Sequence, residues 1–379
     1  MNEKKDLAPF IDKLLSKNYS FALWSKPGSH IPEIIIPGEK GIIYPKKLNA
    51  LNGHQGFIFA PYTISDHSPM VCLEPGIYCR GVSEILSMDY SSLEKKEEVC
   101  TEEPASPYII SRPAYLNDIE AAVEHIKHSG LAKVILSRII PFQRQNESIG
   151  ALFMQICRQT PNAFTYLVNL PVTTQKPAQM GLWIGATPEV LLRSQGKDME
   201  TVSLAGTQSR IADDNYSWHT KEIEEQAFVS RYLLDVFYRF NIHSYKTRGP
   251  ITIESGKVAH LSTSFRFAAK KLTSGLGDFI TELHPTPAIC GYPKQKAATY
   301  ISTVEKHDRR YYTGFLGPWR LHDEIGIYVN LRCMEVYSDW YYLYSGAGIT
   351  SRSVPDDEWE ETNKKANTLL SAIEAIQNK

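Results

Sequence analysis

Residues 325–345 read IGIYVNLRCMEVYSDWYYLYS. Aromatic and aliphatic side chains fill this run without a 3.6-residue period, so it predicts two strands, 325–337 and 340–345. Only Ser338 and Asp339 separate them, a hairpin-length connection. Strands joined by so short a turn are antiparallel, because a parallel pair needs a crossover of a dozen residues or more. The sheet is therefore at least partly antiparallel.

Outward from this hairpin, further strands are expected at 133–140 (KVILSRII), 163–170 (AFTYLVNL), 183–192, 199–205 and 264–268. Helical spacing appears between them. In 117–128, Asn117 is a candidate cap, with Ile119, Val123 and Ile126 on one face. In 218–240, Ile223, Ala227, Leu233, Val236 and Phe240 share a face. A last helix starts near Ser353-Val354-Pro355-Asp356 and runs to about Gln377, with Ala366, Leu369, Leu370, Ile373 and Ile376 turned inward. Long antiparallel strands mixed with long helices predict an α+β fold. The charged, proline-terminated segment 91–107 (SSLEKKEEVCTEEPASP) divides an N-terminal region, 1–103, expected to pack on the same core, from a catalytic domain, 104–379.

The 379 residues carry 41 Lys and Arg against 42 Asp and Glu, a net charge of −1. That balance argues against a sequence-independent grip on nucleic acid or an anionic membrane, and leaves room for a small anionic substrate. Six cysteines form no CxxC pair and no zinc spacing, as in a reducing compartment. Charges at Lys4, Lys5, Asp6 and Asp12 interrupt any signal-peptide core, and no apolar run approaches the ~18 residues of a membrane span. A cytoplasmic protein is expected. The run Ser345-Gly-Ala-Gly-Ile-Thr-Ser351 has the outline of a dinucleotide fingerprint but lacks its third glycine. Walker A, HExxH and GxSxG motifs are absent.

Two acidic patches stand near helix starts, Glu222-Ile223-Glu224-Glu225 and Glu358-Trp359-Glu360-Glu361. Singly, each reads as a solvated first turn whose acids favour the helix dipole. Together they have another reading. Glu222 with Glu225, and Glu358 with Glu361, each share a helix face, and four converging carboxylates would suit a hard divalent cation.

Nine blocks in register carry a resemblance through most of 104–379. They are KVILSR (133–138), IGATPEVLL (184–192), LAGT (204–207), KEIEEQ (221–226), VAHLST (258–263), LHPTPAICGYPK (283–294), EKHDRRYYTGFLGPW (305–319), LRCMEV (331–336) and the series from GAGIT (346–350) to Lys365. They resemble the chorismate-utilising enzymes, and within that family most closely the isochorismate synthases. The resemblance implies one α+β unit of two packed, mainly antiparallel β-sheets enclosed by helices, with the site between them.

It also implies roles. Glu225 and Glu361 would hold Mg²⁺ directly, and Glu222 and Glu358 through water. Lys133 would be the base that activates water, and Glu189 the acid that protonates the departing hydroxyl. Arg332, Tyr312 and Lys365, with backbone N–H groups around Gly346 and Gly348, would hold a carboxylate of chorismate. Gly206, Thr207, His260, His284 and Ala288 would line the pocket. Arg138, if turned inward, would help lower the lysine's proton affinity.

Lys133 separates this chain from ammonia-using relatives, which typically lack a lysine there. Ala288 stands where salicylate-forming and ammonia-using relatives commonly carry Thr. Gln226 and Cys290 depart from the family pattern and leave the pocket's shape open. The expectation is a monomer or weak dimer acting on chorismate without an obligatory glutaminase subunit, and feeding menaquinone or siderophore biosynthesis. A salicylate synthase and a non-catalytic chorismate-binding regulator are the alternatives.

Overall fold

A computed structural model describes residues 6–89, 105–171, 180–209, 216–255, 258–272 and 275–378. Most of the boundary segment, 91–104, lies outside the described residues. The chain opens with α1 (Ala8–Ser16), the strands β1 (Phe21–Ser25), β2 (Pro32–Ile43), β3 (Gly56–Ala60) and β4 (Val71–Arg80), and α2 (Val82–Ser87). Then come α3 (Arg112–Ser129), β5 (Lys133–Gln143), α4 (Ile149–Gln159), β6 (Phe164–Leu170), β7 (Gly181–Thr187), β8 (Val190–Gln195), β9 (Asp198–Ser209) and α5 (Thr220–Arg239). The remainder is β10 (Lys246–Ser255), β11 (Val258–Ala268), α6 (Leu276–Leu283), β12 (Gly291–Tyr292), α7 (Lys294–Val304), β13 (Phe315–Trp319), β14 (Gly326–Val329), β15 (Cys333–Val336), β16 (Trp340–Ile349) and α8 (Pro355–Gln377).

The strands hydrogen-bond in the order β10-β11-β9-β8-β14-β13-β3-β4-β2-β1-β6-β7-β15-β16-β5-β12. The described pairs are antiparallel, including the β15–β16 hairpin across Ser338 and Asp339. The ladder folds on itself. Phe164 of β6 stacks 4.1 Å from Tyr328 of β14, and Phe59 of β3 lies 6.2 Å from Trp183 of β7, although these strands are far apart in the order. The two packed sheets of the expectation are thus two halves of one continuous ladder, with an aromatic core between them. Because helices also cover the outer faces, strands such as FTYLVNL of β6 are buried on both sides and lose alternation. α1, α4 and α8 cover one half, α5 and α6 the other, and α3 and α7 lie along β5. Among the described residues no helix is long and apolar enough to cross a membrane.

Two expected strands are each two. Residues 325–337 break at Asn330–Arg332, and β14 pairs in one half of the ladder while β15 pairs in the other. Residues 183–192 break at Pro188-Glu189 in the same way, between β7 and β8. The physical reasons are local. Pro188 has no N–H to give a ladder, and Arg332 takes φ 48°, outside the β region. The breaks touch: Thr187 Oγ1 donates to the Val329 carbonyl (2.6 Å), and the Val329 N–H to the Glu189 carbonyl (2.9 Å).

Three helix readings are corrected. α3 begins earlier than Asn117, because Ser111 accepts from the Ala114 N–H and Pro113 fits the first turn. Ile223 is 52% exposed, since the buried stripe of α5 follows Val229, Tyr232, Leu233, Val236 and Phe237. At α8, Val354 takes the cap position, and Ser353 Oγ accepts instead from the Thr350 N–H.

Candidate active site

A cleft of about 750 Å³, its solvent-filled mouth included, opens among the two breaks, the start of β5, the glycines of β16 and the N-terminal parts of α5 and α8. Lys133, Glu189, Gly206, Glu225, His260, Ala288, Tyr312, Arg332, Gly346, Gly348, Glu361 and Lys365 line it. Residues spread from Lys133 to Lys365 therefore converge.

Lys133 is the first residue of β5 and is 2% exposed. Its Nζ lies 3.1 Å from Glu225 Oε2. Gly348 makes room for it, because a Cβ there would stand 2.9 Å from Lys133 Cε. Gly346 likewise leaves space for the Tyr312 hydroxyl, 2.9 Å from where its Cβ would be. Tyr312 stacks on Tyr344 at 5.6 Å. Lys365 bridges Glu361, one turn back on α8 (2.7 Å), and the Gly346 carbonyl (2.9 Å). Arg332 donates to Thr368 Oγ1 of α8 at 2.7 Å.

Glu189, in the break after Pro188, is 5% exposed. Burial pushes its carboxyl up to about 7, against the pull of the Lys133 and Lys365 cations. Burial, then Arg332, lowers His260 to about 3, so the ring is neutral. Its Nδ1 lies 3.0 Å from the Gly206 carbonyl, which only accepts; Nδ1 carries the proton, and Nε2 is the acceptor nitrogen. Gly206, at φ 72°, lets β9 meet the first turn of α5, where a Cβ would stand 2.9 Å from Glu222 Cβ. That approach delivers Glu225 to the cleft.

Three expected residues, Glu222, Glu358 and His284, do not line it. The Glu222 carboxylate accepts from the His219 N–H (3.0 Å) as part of the α5 cap, turned along the helix start. Glu358, in the first turn of α8, is 1% exposed and does not reach the cleft that Glu361 lines. His284 Nε2 lies 2.8 Å from the Thr313 carbonyl, one layer behind the wall. Thr207 pairs with His260 in the ladder, and its side chain lies outside the described residues. Arg138 points away: strand alternation puts it on the face opposite Lys133, over Trp359 at 3.6 Å and donating to Thr362 Oγ1 at 2.8 Å.

Ile135, Leu204, Thr313, Leu331 and Tyr344 also line the cleft and were not anticipated. Each lies within or beside a quoted block, so block membership was the available signal. Gln226 is buried behind the wall, its amide 2.6 Å from Thr263 Oγ1 and 3.0 Å from Ser230 Oγ. Cys290 is buried against the Tyr62 hydroxyl (3.4 Å).

A buried amine, a buried carboxyl of raised proton affinity and a cationic rim, set between the halves of an antiparallel ladder, define a site for acid–base chemistry on a small anion. Residues 75–374 match the family described as chorismate binding enzyme, and the chain belongs to that family. It is 29% identical over 276 residues to the vibriobactin-specific isochorismate synthase of Vibrio cholerae, covering 70% of this chain and 68% of that one. It is 30% identical over 251 residues to the isochorismate synthase EntC of Escherichia coli, covering 64% and 62%. The matched stretch thus spans a little under two thirds of the Escherichia coli relative. In fold it is similar to MenF, the menaquinone-specific isochorismate synthase of Escherichia coli, with TM-score 0.76, 19% identity, and 98% and 92% of the two chains covered.

Proposed function

We propose that this chain isomerises chorismate to isochorismate, adding water at ring carbon C2 as the C4 hydroxyl leaves and the double bonds shift between them. The observation that carries this reading is the placement of Lys133 and Glu189, both buried, on one cleft. Lys133 takes the proton from the attacking water. Glu189, whose carboxyl keeps its proton up to about pH 7, gives one to the departing hydroxyl. One water enters and one leaves, so the product is an isomer. Arg332, Lys365 and Tyr312 hold the enolpyruvyl carboxylate, where an Arg fork matches a planar anion. His260, neutral, offers Nε2 as an acceptor to a ring hydroxyl.

The donor set suits Mg²⁺. Glu225 and Glu361 line the cleft from two helices, and among the described residues no three acidic, imidazole or thiol groups gather to cage an ion alone. Mg²⁺ commonly takes one or two carboxylates and completes its shell with water and substrate. In our reading Glu225 and Glu361 hold the ion, which supplies charge neutralisation for the ring carboxylate. Glu361→Gln should raise the Mg²⁺ concentration needed for half-maximal rate at least tenfold; an unaltered titration would remove Glu361 from the site.

Incubation with chorismate and Mg²⁺, with products resolved by chromatography, tests the reaction. Isochorismate is expected. Salicylate with pyruvate would favour a salicylate synthase, anthranilate formed with ammonium a third member of the family, and unchanged chorismate with measurable binding a regulator. We place the product in siderophore or menaquinone biosynthesis, and the enzyme in the cytoplasm as a monomer or weak dimer.

A further inference from the structure

Behind the cleft lies an ion pair that the proposed chemistry does not use. Arg309 and Glu305 have side chains only 3% and 5% exposed. Arg309 employs its whole donor set. Nε donates to Glu305 Oε2 (2.7 Å), and Nη2 to Glu305 Oε1 (2.7 Å) and the Ile135 carbonyl (2.7 Å). Nη1 donates to the Ile289 carbonyl (2.9 Å) and, at longer range, to Thr313 Oγ1 (3.4 Å). The guanidinium lies 4.7 Å from the Tyr62 ring centre. Glu305 Oε1 also accepts from the Ser137 N–H (2.7 Å) and hydroxyl (2.9 Å).

Apart from Glu305, the acceptors of Arg309 belong to residues of the cleft wall: Ile135, Ile289 and Thr313. Ile135 is two residues from Lys133 on the same face of β5, and Ile289 follows Ala288. Backbone pairing at this corner is short: β12 meets β5 at two register pairs, Gly291 with Val134 and Tyr292 with Lys133, flanked by bonds from the Ile135 N–H to the Cys290 carbonyl (2.9 Å) and from the Ala132 N–H to the Tyr292 carbonyl (2.8 Å). A rigid five-donor fork tying both segments to one carboxylate supplies what the short ladder lacks.

We propose that Arg309, oriented by Glu305, is a positioning residue that fixes Lys133 relative to the Ala288 wall and so the line of water attack. This rests on the isochorismate synthase reading. A purely structural pair would change stability and leave the chemical step of the folded enzyme untouched. A positioning pair lowers kcat far more than it raises KM, because Arg332 and Lys365, two of the three groups proposed to hold the carboxylate, stand on other elements, and only Tyr312, whose N–H donates to the Arg309 carbonyl (2.8 Å), shares its segment. Misplacement by an ångström can reduce a rate 10²-fold.

Arg309→Lys keeps the charge and loses the fork, and Ser137→Ala is a milder variant that removes one donor to Glu305. With isochorismate confirmed as the wild-type product, Arg309→Lys is expected to lower kcat about 10- to 100-fold and Ser137→Ala about threefold, with KM for chorismate within threefold of wild type. Should Arg309→Lys fail to fold, Ser137→Ala decides. Unchanged kcat in the folded variants, or KM rising in step with the lost rate, overturns the proposal. If the wild type makes a different product, the reading of function fails while the same split, measured on that product, still judges the clamp. A wild type with no turnover sinks both.

Discussion

Burial and two nearby cations pull on the Glu189 carboxyl in opposite directions, and burial prevails, taking it from the ordinary 4.5 to about 7. Between those values the folded chain keeps a proton that the unfolded chain has released. Stability is therefore fully present below about pH 4.5 and is lost as pH rises through about 7, by about 3 kcal/mol at ~1.4 kcal/mol per unit. Glu189→Gln, neutral at every pH, should raise the melting temperature at pH 8 and leave it nearly unchanged at pH 4, while lowering kcat roughly 10²- to 10⁴-fold. A variant that melts at or below wild type at pH 8 would mean the surroundings do not disfavour the ionised carboxylate. The wild-type kcat should fall on the alkaline side of about pH 7 for the same reason. Lys133 makes a complementary prediction. Lys133→Ala removes a group that acts in the transition state, so turnover should vanish while equilibrium chorismate binding stays within about tenfold. Binding lost together with turnover would recast Lys133 as a substrate anchor.

At the scale of elements, the residues that matter sit where strands stop. Sequence periodicity identified the antiparallel hairpin 325–345 and most of the strands after 130, because those runs are rich in aliphatic and aromatic residues without a helical period. It passed over the interruptions at Pro188-Glu189 and Asn330–Arg332, where apolar neighbours continue on both sides and only Pro188 signals a break. Those interruptions carry Glu189 and Arg332 into the cleft from the crossings between ladder halves. The carboxylates of Glu225 and Glu361 were legible from spacing and the resemblance together, whereas Glu222 serves its helix cap, a role its position three after His219 also fits. Whether Arg138 turns inward depends on the face that alternation assigns it, which Lys133 and Ile135 settle. β16 offers an element-scale test. At Gly348 an added Cβ would meet only side-chain ends, 2.9 Å from Lys133 Cε, 3.3 Å from its Nζ and 3.4 Å from Ile135 Cδ1, with ordinary φ. At Gly291 of β12 it would stand 2.2 Å from the Lys133 carbonyl, with φ 133°. Gly348→Ala should thus reduce kcat at least tenfold with a stability change under about 1 kcal/mol, since a flexible side chain yields. Gly291→Ala should destabilise by about 2 kcal/mol or more, since backbone cannot yield. Equal unfolding midpoints for the two variants in urea would contradict this division.

For the whole molecule, the decisive feature is where the first four strands stand. β3 pairs with β13 on one side, β1 pairs with β6 on the other, and β4 and β2 join them. The N-terminal strands are therefore the middle of the ladder and the fold line between its halves. Trp24, Phe57 and Phe59, all fully buried, put their rings into the aromatic core shared with Trp183, Phe164 and Tyr311. Removing residues 1–103 would open two strand edges in the interior and uncover both inner faces, although every proposed catalytic group lies in 104–379. Unpaired interior edges and exposed apolar faces are aggregation hazards. The fragment 104–379 should accordingly be insoluble or lack a cooperative thermal transition. The full chain should unfold in one main calorimetric transition, because the ladder passes without interruption through both regions. A soluble, cooperatively folding 104–379 fragment that retains chorismate turnover would show instead that the catalytic half closes its own sheet, and that the central strands are an addition to the site and not its foundation.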